Sequence, residues 1–134
     1  MRYSYLTGLE CSRCHKEYDP TVAQGLCTCG APLVARYDLD GLMKKLTPAD
    51  LVGRDPTLWR YHELLPVSKP DAVVTLGEGM TPLVPATELG RQLGVESLFI
   101  KEEGVLPSGS FKTRGATVGI SRAKELGIDN LAAR

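Results

Sequence analysis

Two closely spaced cysteine pairs are the first feature of the chain that could do chemistry. Cys11 and Cys14 form a C-x-x-C motif, and Cys27 and Cys29 form a C-x-C motif that Gly30 follows. Twelve residues separate the two pairs. Two thiol pairs at this separation suit a tetrahedral Zn²⁺ site, in which each short loop supplies two thiolates. Gly30 would relax the backbone where amides turn toward the sulfur atoms.

We predict that such a zinc site is structural, because four protein ligands leave no open coordination position. Three alternatives stand beside it: a reduced cluster without metal, a redox role for the C-x-x-C pair, and His15 in place of one thiolate. The redox role is disfavoured because no strand–helix pattern of the thioredoxin type surrounds the first pair. A solvent-exposed histidine is the simpler interpretation of His15.

A single lysine at the predicted start of a helix is the second candidate. Lys112 lies in the stretch GVLPSGSFKTRG, residues 104–115, where a loop of small residues meets a helical pattern. Ser108 and Ser110 could cap the first amides of that helix. A cation in the first turn opposes the helix dipole, and this placement favours the neutral amine, which can attack a carbonyl group.

Small residues share the predicted helix face of this lysine. At helical spacing, Gly115, Ala116 and Gly119 lie on the same face as Lys112. Glycine in a helix costs roughly 0.5–1 kcal/mol relative to alanine, so two on one face indicate close packing or access for a ligand. The alternative is a solvated lysine on a helix whose glycines serve packing alone. The residue pattern by itself does not separate the two.

Composition and charge narrow the class of protein. The chain has 134 residues, 43% of them hydrophobic, and its 16 basic residues balance its 16 acidic residues. These values are typical of a globular protein, and the balanced charge gives no electrostatic argument for nucleic acid or an anionic membrane as partner. No apolar run approaches the roughly 18 residues of a membrane span, and the first residues show no targeting pattern. We therefore expect a cytoplasmic protein, in which four cysteines favour metal or redox chemistry over disulfides.

The candidate residues lie in a sequence that divides into three parts. Residues 1–37 hold the cysteines, residues 38–70 predict a helical linker broken by prolines, and residues 71–134 alternate strand and helix patterns. The alternation is typical of an α/β unit with a parallel sheet. A two-domain α/β enzyme needs on the order of 300 residues. We therefore expect the chain to be the front part of a larger protein, with a small complete domain as the alternative.

Local signals in the third part predict four elements. Thr87 is a possible cap and Gly94 a stop for the first helix. The predicted elements are a helix over 85–94, a strand over 95–103, a helix over 111–127 and the opening of a further strand over 130–134.

The lysine segment, KEEGVLPSGSFKTRG, resembles the cofactor-lysine segment of fold-type II pyridoxal-phosphate enzymes, whose motif is of the type PTGSFKDRG. The matching residues are Pro107, Gly109, Ser110, Phe111, Lys112, Arg114 and Gly115. Upstream, LWRYHELLPV and LGEGMTPL resemble the threonine synthase family, and CGAPLVARYDL resembles the zinc-ribbon-like extension of some of its members. The chain departs from the motif at Leu106, Ser108 and Thr113, where the family often has Asn, Thr and Asp.

This resemblance implies a fold, two cofactors and an activity. Lys112 would hold pyridoxal 5'-phosphate as a Schiff base, with Ser110 and Phe111 beside it, in an α/β domain of which residues 71–134 are the incomplete first part. Residues 1–37 would form a zinc-ribbon-like segment that binds Zn²⁺. The implied reaction is that of a lyase, which converts O-phospho-L-homoserine and water to L-threonine and phosphate. Thr81, Ser108 and Arg114 would be nearby polar groups, and we expect Arg114 in a structural ion pair.

The resemblance also implies which site residues would lie beyond this sequence and which partners the full-length enzyme would have. The family's asparagine near the cofactor hydroxyl, its glycine-rich phosphate loop and its partner for the ring nitrogen would follow Arg134, so we expect residues 1–134 alone to be inactive. The full-length enzyme would be a homo-oligomer acting on a small amino acid, without nucleic-acid or membrane partners. Two alternatives remain open: another fold-type II enzyme, of threonine dehydratase-like or cysteate synthase-like type, and a non-catalytic zinc-binding module.

Overall fold

A three-stranded antiparallel sheet forms the first part of the chain in the computed structural model, which describes residues 2–131. The strands are β1 (Leu6–Cys11), β2 (Glu17–Tyr18) and β3 (Leu33–Tyr37). β1 is central and pairs antiparallel with both neighbours. Because β1 ends at Cys11 and β3 begins opposite it, at Leu33, the loops that carry the cysteine pairs meet at this end of the sheet.

Short helices follow the sheet, as the prolines of this stretch predict. The α-helix α1 (Leu39–Met43) is followed by three 3-10 helices, Pro48–Leu51, Leu58–Leu64 and Pro70–Ala72. Proline occupies the start of the first and third 3-10 helices, where a missing N–H costs nothing. A buried apolar cluster in this part of the chain comprises Trp59, Val67 and Ala72, and the partly buried Val118 of the last helix packs against it.

The third part alternates strand and helix, but its strands pair antiparallel. It comprises β4 (Leu83–Pro85), α2 (Thr87–Leu93), β5 (Phe99–Lys101) and α3 (Lys112–Glu125). The prediction of a parallel sheet is therefore wrong for the strands that the structure describes. The reason is that the two-turn helix α2 returns the chain to the end of β4. Ala86 N donates to Leu98 O at 2.9 Å, so β5 starts beside the last residue of β4.

The predicted ends of these elements are partly right. Gly94 stops α2 in the left-handed conformation, with φ 68°, which confirms its role. The prediction of Thr87 as a cap is wrong, because Ala86 holds that position and Thr87 is the first helical residue. Asn130 and Leu131 are not in a strand, and the rest of the predicted last strand lies outside the described residues. Between residues 2 and 131, none of the helices has the length and apolar character to cross a membrane.

Candidate functional site

The four cysteine sulfurs converge at one end of the first sheet. All four Sγ atoms lie within 4.8 Å of one another. Cys11 Sγ is 3.5 Å from Cys29 Sγ, and Cys14 Sγ is 3.5 Å from Cys27 Sγ. A tetrahedral zinc ion with Zn–S bonds of about 2.3 Å would separate its sulfur ligands by about 3.8 Å. The sulfurs are therefore spaced as the ligands of one tetrahedral ion.

Hydrogen-bond donors point at the sulfurs that a metal would need as thiolates. Cys11 Sγ accepts from the amides of Arg13 and Cys14, each at 3.4 Å. The Tyr18 hydroxyl donates to Cys27 Sγ at 3.1 Å. The Cys29 amide, and after it this Tyr18 hydroxyl, lower the pKa of the Cys27 thiol to about 5. The Ala31 amide acts to lower the pKa of the Cys29 thiol, but the neighbouring sulfurs of Cys11 and Cys27 outweigh it and raise that pKa to about 12. The donors directed at Cys11 and Cys27 thus favour the charged form of these two thiols, which is the form that binds metals.

The surroundings of the cluster agree with the predicted ligand set. Gly30 adopts φ 81°, and its amide donates to Cys27 O at 2.8 Å, so the residue takes the left-handed conformation that glycine permits. His15 lies outside the group of converging ligand atoms and instead contacts Glu10, with Nδ1 2.6 Å from Oε1. His15 is therefore a solvent-exposed residue, as its simpler interpretation predicts.

Lys112 is the first residue of α3, and its side chain is exposed. Its amide donates to Ser110 Oγ at 3.3 Å, so Ser110 serves a first-turn amide as predicted. Ser108 does not, because its hydroxyl lies 2.5 Å from Thr113 Oγ1 and so links the loop to the helix through a side chain. Phe111 precedes the lysine at the N-cap position and is 66% exposed.

The small residues predicted to share the lysine's face are open to solvent. Gly115, Ala116 and Gly119 are exposed. A methyl group added at Gly115 or Gly119 would meet no described atom within 4 Å. The glycines therefore do not serve packing between described segments, and this glycine face leaves room for a flat group beside the lysine.

Hydroxyl groups line the opposite, buried face of α3. Thr113, Thr117 and Ser121 recur every four residues and expose 2%, 1% and 0% of their surfaces. Thr117 Oγ1 donates to Glu78 Oε1 at 2.7 Å, and Val74 N donates to Ser121 Oγ at 2.8 Å. The sequence analysis did not predict this polar face, although hydroxyl residues at a spacing of four indicate one face of a helix. Directional hydrogen bonds therefore hold this face of the helix.

Glu78 is the buried carboxylate at the centre of these bonds. It is fully buried, and it also accepts from Thr75 Oγ1 at 2.8 Å and from the Leu76 amide at 2.7 Å. Burial acts to raise the pKa of this carboxyl, but the bonds from Thr117, Leu76 and Thr75 outweigh it, and the pKa is lowered. Glu78 is therefore held as a carboxylate.

Arg114, two residues after the lysine, is in the predicted ion pair. Its Nε is 2.6 Å from Glu103 Oε2, and its Nη2 is 2.9 Å from Glu103 Oε1. Thr81 Oγ1 donates to Glu103 Oε1 at 2.5 Å. The Arg114 guanidinium, followed by the Thr81 hydroxyl, lowers the pKa of Glu103 to about 2. Sequence reasoning missed Glu103, because a glutamate after a strand usually indicates a solvated charge.

The lysine-bearing half of the chain matches a known family. Residues 74–133 match the family described as "Pyridoxal-phosphate dependent enzyme". They include β4, α2, β5 and α3, and with them Lys112, the glycine face and the Arg114 ion pair. This half of the chain is therefore similar to pyridoxal-phosphate-dependent enzymes.

Curated threonine synthases are among the proteins to which the chain is similar. The chain is 42% identical to the threonine synthase of Methanocaldococcus jannaschii over 119 residues, which are 89% of this chain and 29% of the relative. The chain is 38% identical to the threonine synthase of Methanosarcina acetivorans over 125 residues, which are 92% of this chain and 30% of the relative. The chain thus spans less than a third of the length of these relatives, and the similarity extends across the cysteine-bearing part as well.

Proposed function

We propose that the chain is the lysine-bearing part of a pyridoxal-phosphate-dependent threonine synthase, a lyase that converts O-phospho-L-homoserine and water to L-threonine and phosphate. The observation that carries the proposal is the exposed Lys112 at the start of α3, beside the open positions at Gly115 and Gly119. The residues before and after this site are similar to threonine synthases, and this similarity supports O-phospho-L-homoserine as the substrate.

The chain's own residues fit the cofactor. Lys112 Nζ would hold it covalently, and the glycine face would admit its flat ring without a clash against a side chain. Ser110 and Phe111 would lie beside it, because they immediately precede the lysine. The bound cofactor supplies an electron sink for negative charge that develops on the carbons of an amino-acid substrate. As a free amine, Lys112 Nζ could take up a proton and return it.

We propose that the cysteine cluster binds one structural Zn²⁺ through Cys11, Cys14, Cys27 and Cys29. The convergence of the four sulfurs, and the amide and hydroxyl donors directed at them, support this ligand set. Four thiolates complete a tetrahedral shell, so the ion would hold the two loops together and take no part in the reaction.

A hybrid enzyme tests the proposed activity. This chain would replace the matching part of the Methanocaldococcus jannaschii threonine synthase, and phosphate release from O-phospho-L-homoserine would be measured with L-threonine formation. We expect turnover by the hybrid and none above a heat-killed control for its Lys112→Ala variant. Lys124→Ala, an exposed lysine near the far end of α3, is the matched control and should retain activity.

Assays with different substrates distinguish the proposed threonine synthase reaction from the reactions of related enzymes. Formation of a 2-oxo acid from L-threonine or L-serine, with no phosphate released from O-phospho-L-homoserine, would indicate a dehydratase-like enzyme instead. Full activity in the Lys112→Ala hybrid would contradict the role of the lysine.

A further inference from the structure

Three residues from separate segments meet beside the first turn of α3, and we call them the Arg114 clamp. Arg114 is the third residue of α3, Glu103 lies just after β5, and Thr81 lies just before β4. Arg114 holds both carboxylate oxygens of Glu103, at 2.6 and 2.9 Å, and its Nη2 also donates to Thr81 Oγ1 at 3.3 Å. Thr81 Oγ1 in turn donates to Glu103 at 2.5 Å. Each member therefore contacts the other two.

The clamp is sheltered from water, as are the pairs of Arg54 with Glu63 and of Arg122 with Glu125, whereas the ion pair on α2 is not. The side chains of Arg114 and Glu103 are 26% and 22% exposed, and Thr81 is 5% exposed. The pair of Arg91 and Glu88 on α2 has the same two-pronged geometry, but its side chains are 72% and 66% exposed. Exposed pairs contribute little because water and salt screen them, whereas sheltered two-pronged pairs fix geometry.

The clamp closes the loop that leads to the lysine. Glu103 and Arg114 stand at the two ends of residues 104–113, so their contact fixes the distance between the end of β5 and the start of α3. Inside the loop, Leu106 N donates to Glu103 O at 3.2 Å, and Ser108 is bonded to Thr113. The loop is therefore tied at both ends and in the middle.

We propose that Arg114, Glu103 and Thr81 form a positioning unit, which fixes the first turn of α3 and thereby the direction in which Lys112 presents its amine. The inference rests on the proposed function for its catalytic consequence, but not for the clamp itself. These residues act through the backbone of α3, because Arg114 is two residues from Lys112 and its guanidinium is occupied by Glu103 and Thr81. They are positioning residues and do not react.

Hydrogen exchange of the 134-residue chain tests the clamp without any cofactor. We would compare the wild-type chain with the Glu103→Gln and Arg114→Lys variants, the second of which keeps the charge but loses the two-pronged contact. The clamp predicts that amides of residues 108–114 exchange about tenfold faster in both variants, while those of residues 118–126 keep their rates. Glu88→Gln removes the exposed pair on α2 and should leave both regions unchanged.

Chemical labelling tests the consequence for the lysine. The same proteins would be treated with pyridoxal 5'-phosphate and borohydride, and the label on Lys112 would be compared with that on Lys44, an exposed lysine of the linker. We expect the wild type to label Lys112 preferentially. The ratio should fall several-fold in Glu103→Gln and Arg114→Lys but not in Glu88→Gln. Thermal unfolding of each variant verifies that the comparison is made on folded protein.

The outcomes separate the clamp from the proposed function. Unchanged exchange in residues 108–114, or faster exchange along the whole of α3, overturns the clamp whatever the labelling shows. Local exchange that rises while a preferred Lys112 label stays constant overturns the positioning role. A wild-type chain that labels Lys112 no more than Lys44 overturns the positioning role, while the exchange data still decide the clamp and the hybrid enzyme decides the proposed function.

Discussion

Thr117 donates its hydroxyl proton to the carboxylate of Glu78 across 2.7 Å, and both side chains are buried. The bond joins the middle of α3 to the segment that precedes β4, 39 residues earlier in the chain. A buried carboxylate must be satisfied by donors, since an unsatisfied one would cost far more than the bond itself contributes. The helix that begins at Lys112 is thus fastened on one face by polar bonds and left open on the other.

Replacement of Thr117 by valine tests this attachment. The change keeps the shape of the side chain but removes the donor to Glu78, so we expect the free energy of unfolding to fall by about 1–3 kcal/mol. Denaturant unfolding measures it. Thr87→Val, at an exposed helical threonine of α2, is the matched control and should stay within about 0.5 kcal/mol of wild type. Equal effects of the two substitutions would show that the Glu78 bond does not hold α3.

Zinc content tests the cysteine cluster. The chain purified without chelator should hold one zinc per molecule, because its four sulfurs are already spaced as tetrahedral ligands. Cys27→Ser should lose the metal, whereas His15→Ala should keep it, because His15 lies outside the ligand group. Elemental analysis with thiol titration gives both results. A wild-type chain with four free thiols and little zinc would refute the site, and zinc loss in His15→Ala would refute the ligand set.

Acid stability should depend on Glu103. The pKa of this carboxyl is about 2 in the folded chain, below its ordinary value of 4.5. As the pH falls, Glu103 is therefore protonated at a lower pH in the folded state than in the unfolded state. Its contribution to stability is therefore complete above about pH 4.5 and is lost as the pH falls toward 2. The stability difference between wild type and Glu103→Gln should shrink over this window. A difference that stays constant between pH 5 and pH 2.5 would count against the ion pair.

The open glycine face predicts that function and stability oppose each other. Gly115→Ala and Gly119→Ala should each raise helix stability by about 0.5–1 kcal/mol, because the new methyl group meets no described atom within 4 Å. Gly79→Ala is the contrasting control, since its methyl group would lie 2.3 Å from Pro56 O and should destabilise the fold. The same alanines at 115 and 119 should weaken pyridoxal-phosphate labelling of Lys112. Destabilisation by either would show that the glycine serves packing.

Local chemistry made part of this site predictable from sequence. The spacing of the cysteine pairs predicted their convergence, because two close thiol pairs are typical of one metal site, and Gly94 predicted the end of α2, because glycine tolerates the left-handed conformation of a helix stop. The antiparallel direction of β4 and β5 was not predictable from the sequence, since it depends on where α2 returns the chain. Glu78 and Glu103 were missed for a related reason. Their partners lie 39 and 11 residues away, and only the folded chain shows that these carboxylates are sheltered.

The location of the cofactor bond tests the central claim most directly. A protein in which this chain is continued by the rest of a threonine synthase would be loaded with pyridoxal 5'-phosphate, reduced with borohydride, digested and mapped by mass spectrometry. We predict one pyridoxyl label, on Lys112, and its loss in the Lys112→Ala variant, which should remain folded because the side chain is exposed. A label on any other lysine, or none on the loaded protein, would contradict the account.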